Sequence, residues 1–458
     1  MTTVESAPET PASGTSPNPN PSTVLTASPA TPTNSAASAQ SPSSTTSVDS
    51  PTATATVLTQ PASQATPVTA PSDFVASRPW SRRGSDQPLF NPVLAVWVAV
   101  TGFVASRAIL LFMAASYSRS DGMSGLDAMM RWDALRYVEI AAEGYSTNPE
   151  DNQAAFFPGL PLLLRILNTI GLPYAWGGML LSLVASIFVV WALYRLVNGG
   201  VAGAIAVVAW SFAPVAVFSV LPYTEAPFLA LALWAWLRAR EDRWAWAAGL
   251  AAGACLFRVS GLFLLGALVL LAILGERARW PQDWRAVGRR LVWLLIPLAV
   301  LVTWSAYGKL HFGSWMAWYE AQVNGWSRSF HWPWQAYQNT VSAIQNDAAN
   351  AWVFGAETVT FWIGLTITII CFLRYRVAQG AWVGVHVLAF STSYWLLSIS
   401  RSTLLWFPLW TLIGEVAERR LKGLWWWARL VAVTVWLLFS GILMTVWAAR
   451  YYRYGWAG

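Results

Sequence analysis

The feature that most restricts this chain is a succession of apolar runs that starts near Val93 and continues to about residue 449. They fall near residues 91–115, 174–197, 201–220, 223–238, 244–257, 260–275, 290–310, 352–373, 381–398, 402–418 and 424–449. So many long runs cannot share one water-facing core. In a bilayer a lone apolar segment must satisfy its own backbone as a helix. The chain therefore reads as an all-α, multi-span membrane protein with about eleven transmembrane helices. Only 11% of residues are charged, against roughly 25% in soluble domains, which argues the same way. Several runs are short. A helix of about 16 residues reaches roughly 24 Å, less than the roughly 30 Å hydrocarbon layer, and suits packing against protein or a wet cavity. The run 156–168, broken by Pro158 and Pro161, is too short to span and reads as interfacial or re-entrant.

Residues 1–77 differ in kind. They contain no Lys, Arg, Trp or Tyr and are dominated by Ser, Thr, Pro and Ala, a composition that cannot offset the entropy of ordering. Residues 1–85 are expected to be a disordered tail and 86–458 the membrane domain. The tail lacks the basic start and apolar core of a signal peptide. Its Ser/Thr/Pro content is compatible with an O-glycosylated stalk, but Arg78, Arg82 and Arg83, just before the first run, favour a cytoplasmic tail.

Arginine placement tests the topology independently of hydropathy. Net charge is +7 and Lys309 and Lys422 are the only lysines, a balance that points to anionic headgroups rather than nucleic acid. With the N-terminus inside, Arg238, Arg240 and Arg243, then Arg277, Arg279, Arg285, Arg289 and Arg290, then Arg374 and Arg376, then Arg419, Arg420 and Lys422 all fall on the cytoplasmic side. The acidic loop 116–155 and the loop 311–351 then lie outside. Arg450 and Arg453 run against the pattern. The expectation is a multi-pass cell-membrane protein with its site on the extracytoplasmic face.

On that face the unusual polar residues gather: Trp132-Asp133, the Phe156-Phe157-Pro158 turn, Tyr223-Thr224-Glu225, Phe257-Arg258, Ser400-Arg401, and His311, Glu320, Arg328 and His331. An ionisable group beside an apolar helix costs about 2.5–3.5 kcal/mol at the bilayer centre, so Glu225, Arg258 and Arg401 are candidates for a task. Snorkelling or mutual pairing is the alternative for each. Asp127 to Tyr145 has helical periodicity and is expected to lie in the interface plane, with Asp133, Arg136 and Tyr137 on one face and Trp132 turned aside. An acid there, near cations, can take a proton from a sugar hydroxyl while the cations hold a phosphate leaving group. A plain Asp133–Arg136 surface pair is the competing reading. The loop run Trp315, Trp318, Tyr319, Trp326, Trp332 and Trp334 suits sugar rings and prenyl chains, or membrane docking.

The string Arg131-Trp132-Asp133-Ala134-Leu135-Arg136-Tyr137, continued by Glu143-Gly144-Tyr145 and Phe156-Phe157-Pro158, resembles the signature of PIG-V-type mannosyltransferases, bacterial relatives of GPI mannosyltransferase 2. Pro222 to Glu225, Arg258 to Gly261, Phe312-Gly313, Trp326 to Arg328 and Ser400-Arg401 follow in the family's order, so the resemblance covers about residues 130–410. It departs at Arg136, where an aromatic or His is commoner, and at Ser314-Trp315. The resemblance implies a GT-C bundle that transfers a mannosyl residue from polyprenyl-phosphate-mannose to a lipid or glycan acceptor, with inversion. By the same implication Asp133 is the base and Glu225 an accessory acid or acceptor contact. Arg258, Arg401 and Arg136 are donor-phosphate ligands, and Trp132, Tyr137, Phe157, Tyr223, Trp326, Arg328 and His331 are substrate contacts. No cofactor or metal is implied, and His311, His331 and His386 offer no i,i+4 pair. A transporter or flippase of a polyprenyl-linked sugar or lipid is the rival class, because membrane acids and arginines also mark transport paths.

Overall fold

The computed structural model describes residues 91–457 apart from 124, 281–282 and 419–423. The tail expected over residues 1–85, with Arg78, Arg82 and Arg83, and the cluster Arg419, Arg420 and Lys422 lie outside the described residues. Every regular element among the described residues is helical. In chain order these are α1 (Pro92–Ser120), α2 (Asp133–Glu143), α3 (Gly159–Thr169), α4 (Tyr174–Leu196), α5 (Gly200–Ser211), α6 (Glu225–Arg240), α7 (Trp244–Cys255), α8 (Ser260–Leu274), α9 (Trp284–Trp293), α10 (Leu295–His311), α11 (Ala317–Trp326), α12 (Pro333–Asn346), α13 (Ala351–Leu373), α14 (Val377–Ser391), α15 (Ile399–Ser402), α16 (Phe407–Glu418) and α17 (Leu424–Tyr452).

Five stretches are long and apolar enough to cross a membrane: α1, α4, α9 with α10, α13 and α17. Away from their ends their exposed residues are mostly apolar, such as Trp97, Phe112, Phe188, Val302, Leu438 and Ile442, as lipid contact requires. The inner layer is α5, α6, α7, α8, α14 and α16, of which α6 is the most enclosed, with Phe228, Leu233 and Trp236 fully buried. Local chemistry sets the helix starts. Pro92 supplies the fixed φ of a first turn and the Asn91 side chain accepts the Val93 N–H at 3.0 Å. The Asp283 carboxylate caps α9 through the N–H groups of Arg285 and Ala286 at 2.9 and 3.1 Å.

Two expected helices are interrupted. The run 201–220 is helical only to Ser211, because Pro214 lacks a donor and disfavours helical backbone at Ala213. The following residues 215–224 are buried, with a single 3-10 turn at Ala216–Ser219. Buried irregular backbone needs partners, and hydroxyls supply them: Ser182 donates to the Leu221 carbonyl at 2.6 Å, Ser186 to Ser219 at 3.0 Å and Ser440 to Phe212 at 2.8 Å. The helix expected from Asp127 to Tyr145 is also broken. A 3-10 turn at Asp127–Met129 is followed by Trp132 at φ 55°, and α2 begins only at Asp133.

Close backbone approach fixes two further contacts. A Cβ at Gly159 would lie 2.8 Å from the Leu256 carbonyl oxygen, which accepts the Gly159 N–H at 2.7 Å, so α3 is locked to the break between α7 and α8. Between α16 and α5, a Cβ at Gly414 would stand 2.2 Å from the Ala202 carbonyl oxygen. Gly414→Val is therefore expected to force these helices apart and cost about 1–3 kcal/mol. It should lower the thermal midpoint of the detergent-solubilised protein; an unchanged midpoint would contradict the packing.

Candidate functional site

A cavity of about 170 Å³ opens where α2, α8, α11, α14, α15 and α17 meet. Its polar wall comes from three chain breaks. Asp133 is the first residue of α2, and Arg258 occupies the break between α7 and α8. Arg401 is carried by α15, a single turn entered through Ser398 at φ 62°.

These residues form one ionic network. Arg401 Nη1 donates to Asp133 Oδ2 at 2.9 Å, and its Nε donates to Glu225 Oε1 at 2.5 Å. Arg258 Nη1 donates to the same Glu225 oxygen at 2.5 Å and to Thr224 Oγ1 at 3.1 Å. Glu225 is 1% exposed and serves as the internal counter-charge of two arginines. The accessory-acid or acceptor role expected of it has no counterpart in the lining of this cavity. Burial alone works against the charge on Arg401, but Glu225 and Asp133 outweigh it and hold the guanidinium well above its ordinary pKa. The same guanidinium lies 4.6 Å from the Tyr223 ring centre and 4.8 Å from that of Phe218.

Arg328 is differently placed. Its Nη2 donates to Ser398 Oγ at 3.1 Å and its guanidinium lies 5.1 Å from the Phe390 ring centre. Alone among the cavity-lining arginines of the described residues, it has no carboxylate ion pair. Burial, then the neighbouring Arg401, pushes its pKa down to about 10, which still leaves it cationic at neutral pH. The charged groups of the lining are thus one acid, Asp133, and three arginines, Arg258, Arg328 and Arg401, a cationic wall suited to an anion.

Trp132, Tyr137, Phe157, Tyr223, Trp326 and Arg328 all line the cavity together with Asp133, Arg258 and Arg401. Trp132 had been expected to turn aside; its left-handed backbone brings it to the rim instead. Tyr137 packs edge-on against Phe156 at 5.0 Å. Burial, followed by the Asp133 carboxylate, pushes its hydroxyl above the ordinary range and keeps it protonated. Three expected residues are not among the lining groups: Glu225, buried behind the arginines, and Arg136 and His331. Arg136 does not share the inward face of α2: it projects outward and pairs with Glu139 at 3.0 Å, because Asp133, Tyr137 and Ile140 take the inner stripe. His331 N–H donates to the Thr392 carbonyl at 3.1 Å and its ring packs edge-on against Tyr394. The loop tryptophans divide as well. Trp318 and Trp326 face the cavity, whereas Trp315 is exposed and Trp332 stacks on Trp334 at 5.0 Å at the surface.

Sequence reasoning passed over Phe218, Gln322, Phe390, Tyr451 and Trp456, which also line the cavity, and Glu357 behind it. Glu357 Oε2 accepts the N–H groups of Ile399 and Ser400 at 2.6 and 3.0 Å, which holds the turn that carries Arg401. A lone acid within the apolar run 352–373 was the available signal. For Tyr451 and Trp456 it was the pair Arg450 and Arg453, whose position violates the charge pattern. Arg450 Nε donates to the Trp456 carbonyl at 2.5 Å, and Arg453 lies over Tyr117, so both serve the protein itself.

A second, apolar cavity of about 230 Å³ adjoins the first and shares Phe157, Val259 and Trp318 with it. Leu262, Leu301, Trp304, Phe312, Trp315 and Met316 supply much of its remaining wall.

No family model and no curated protein matches the chain. Among solved structures it is similar to ArnT from Cupriavidus metallidurans bound to undecaprenyl phosphate. The identity is 17% and the TM-score 0.46, over 79% of this chain and 69% of that one. It is likewise similar to the apo state of ArnT, at 17% identity and a TM-score of 0.43, over 74% of this chain and 62% of the other.

Proposed function

We propose that the protein is an integral-membrane glycosyltransferase of GT-C type, and that it moves a mannosyl residue from polyprenyl-phosphate-mannose to a lipid- or glycan-linked acceptor. The observation that carries this reading is the pairing of two cavities with opposite character. One holds an acid and three arginines; the other is apolar and shares a wall with it. A polyprenyl-phosphate sugar has the same division, with a long hydrocarbon beside a charged ester and a pyranose. The motif from Arg131 to Tyr137, with its resemblance to PIG-V-type enzymes, supplies the choice of mannose and the extracytoplasmic orientation.

In the proposed reaction the free Oδ1 of Asp133 takes the proton of an acceptor hydroxyl. The acceptor oxygen forms a bond to the anomeric carbon while that carbon's bond to the phosphate oxygen breaks, which inverts the configuration. Polyprenyl phosphate leaves with the bonding electrons, and the proton passes from Asp133 to water. Arg328, with Arg258 and Arg401, neutralises the charge that develops on the phosphate. Tyr223 and Phe218 wall the arginine side, and Trp132, Trp318 and Trp326 offer ring faces to the sugar.

Purified protein in lipid nanodiscs, given synthetic polyprenyl-phosphate-mannose and extracted envelope lipids or glycans, is expected to release polyprenyl phosphate and to mannosylate an acceptor with the opposite anomeric configuration. Movement of the intact donor across the bilayer of proteoliposomes, with no bond cleaved, would replace the enzyme reading with a flippase.

A further inference from the structure

We infer that the segment at and beyond the end of α17 is part of the catalytic apparatus: Tyr451 and Tyr454 are positioning residues that hold Asp133 in place by clamping Arg131. This inference rests on the reading of Asp133 as the base. It begins from a juxtaposition of residues 320 apart in sequence. The Arg131 carbonyl accepts from the Tyr451 hydroxyl at 2.8 Å, from the Tyr223 hydroxyl at 3.4 Å and from the Ala134 amide at 3.1 Å. The Tyr451 proton is shared with the Met129 carbonyl at 3.1 Å. At its other end the fully buried Arg131 guanidinium lies 3.5 Å from the Tyr454 ring centre and pairs with Asp121 at 2.7 Å. Main chain and side chain of one residue are thus fixed by two tyrosines of the same short segment.

What the clamp holds is strained. Between Arg131 and Asp133 stands Trp132 at φ 55° and ψ −126°, a conformation that a residue with a side chain keeps only when its surroundings over-determine it. Release of the Arg131 carbonyl lets Trp132 relax, and the first turn of α2 moves with it. The same segment is anchored to the cavity wall. Trp456 and Ala457 line the cavity. Arg450 donates to the Trp456 carbonyl and to Asn350, and Trp447 Nε1 donates to the Ala457 carbonyl at 2.7 Å.

Tyr451→Phe removes one hydroxyl, and Tyr452→Phe is its matched control: the Tyr452 hydroxyl is equally buried but donates to the Leu110 carbonyl at 3.3 Å, away from the loop. A shift of the base by about 1 Å costs on the order of 10²-fold in rate. Tyr451→Phe is therefore expected to lower kcat by about tenfold or more with donor KM unchanged, while Tyr452→Phe stays near wild type and both melt alike. Equal losses in the two variants, or a change in KM alone, would overturn the clamp. A second measurement needs no turnover. Trp132→Cys can be labelled with a water-soluble maleimide against native Cys255 and Cys371, which are buried. Its labelling rate should rise several-fold when Tyr451→Phe is added and not when Tyr452→Phe is added. Identical rates in the two backgrounds would overturn the clamp whatever the activity. A difference in labelling beside a wild type that transfers no sugar would keep the clamp and remove the enzyme reading.

Discussion

Asp133→Ala is expected to abolish most sugar transfer, with kcat down by on the order of 10²–10⁴, the range associated with a general base, and with donor affinity nearly unchanged. The geometry gives the reason for the split. Asp133 lies on the cavity wall, yet its loss leaves Arg401 paired with Glu225 at 2.5 Å, so the arginine framework for the phosphate persists. Asp133→Asn tests the same point with the shape retained, because an amide cannot take the proton. The measurements are kcat and KM with polyprenyl-phosphate-mannose, and the thermal midpoint. An Asp133→Asn variant that turns over like wild type would remove Asp133 from the chemistry and leave it as one arm of an ion-pair network.

Arg401→Ala should damage stability and activity together. Arg401 is 11% exposed at its side chain, and its partner Glu225 is 1% exposed. Removing one member of a buried pair typically costs about 3–5 kcal/mol, because the remaining charge is left without its full complement. Arg258 still reaches Glu225, so the loss belongs toward the lower end of that range. Arg401→Lys keeps the charge but cannot bridge two carboxylates with separate nitrogens in a fixed plane, and an intermediate defect is expected. The double variant Glu225→Gln/Arg401→Met removes both buried charges. It should stay destabilised and without transfer, because Arg258 loses its Glu225 partner and Asp133 its Arg401 partner. If the double variant instead regains transfer, Arg401 serves the fold alone.

How much of this arrangement can be read from the amino acids depends on the distance over which each residue acts. The apolar runs predict helices wherever period and length decide the outcome, as in α1, α4, α13 and α17. They overreach at 201–220, where hydropathy is blind to Pro214, which ends α5 and leaves buried irregular backbone after it. Arg258 and Arg401 announce themselves as charges next to apolar helix. Glu225 announces itself by the same rule, but its enclosure by two guanidiniums comes from three separate helix ends, and no local pattern carries that. Arg136 is the converse case. Its spacing from Asp133 is right for a shared face, yet the inner stripe of α2 is narrower than i, i+3 and i, i+4 together, and Tyr137 occupies it. Tyr451 and Trp456 resemble an interfacial aromatic belt by composition, and only tertiary folding brings them beside Asp133.

The single Glu225 oxygen that receives both arginines has a consequence for descent. Residues 225 and 401 stand on different helices and residue 258 between two others, but none can drift alone: exchange of the acid strands Arg258 and leaves Arg401 with Asp133 only, and exchange of either cation unbalances the acid. Across diverging relatives these three positions should change as a set or not at all. Phe218, which offers only a ring face to Arg401, is free to vary among aromatics, whereas Tyr223 also donates its hydroxyl to the Arg131 carbonyl.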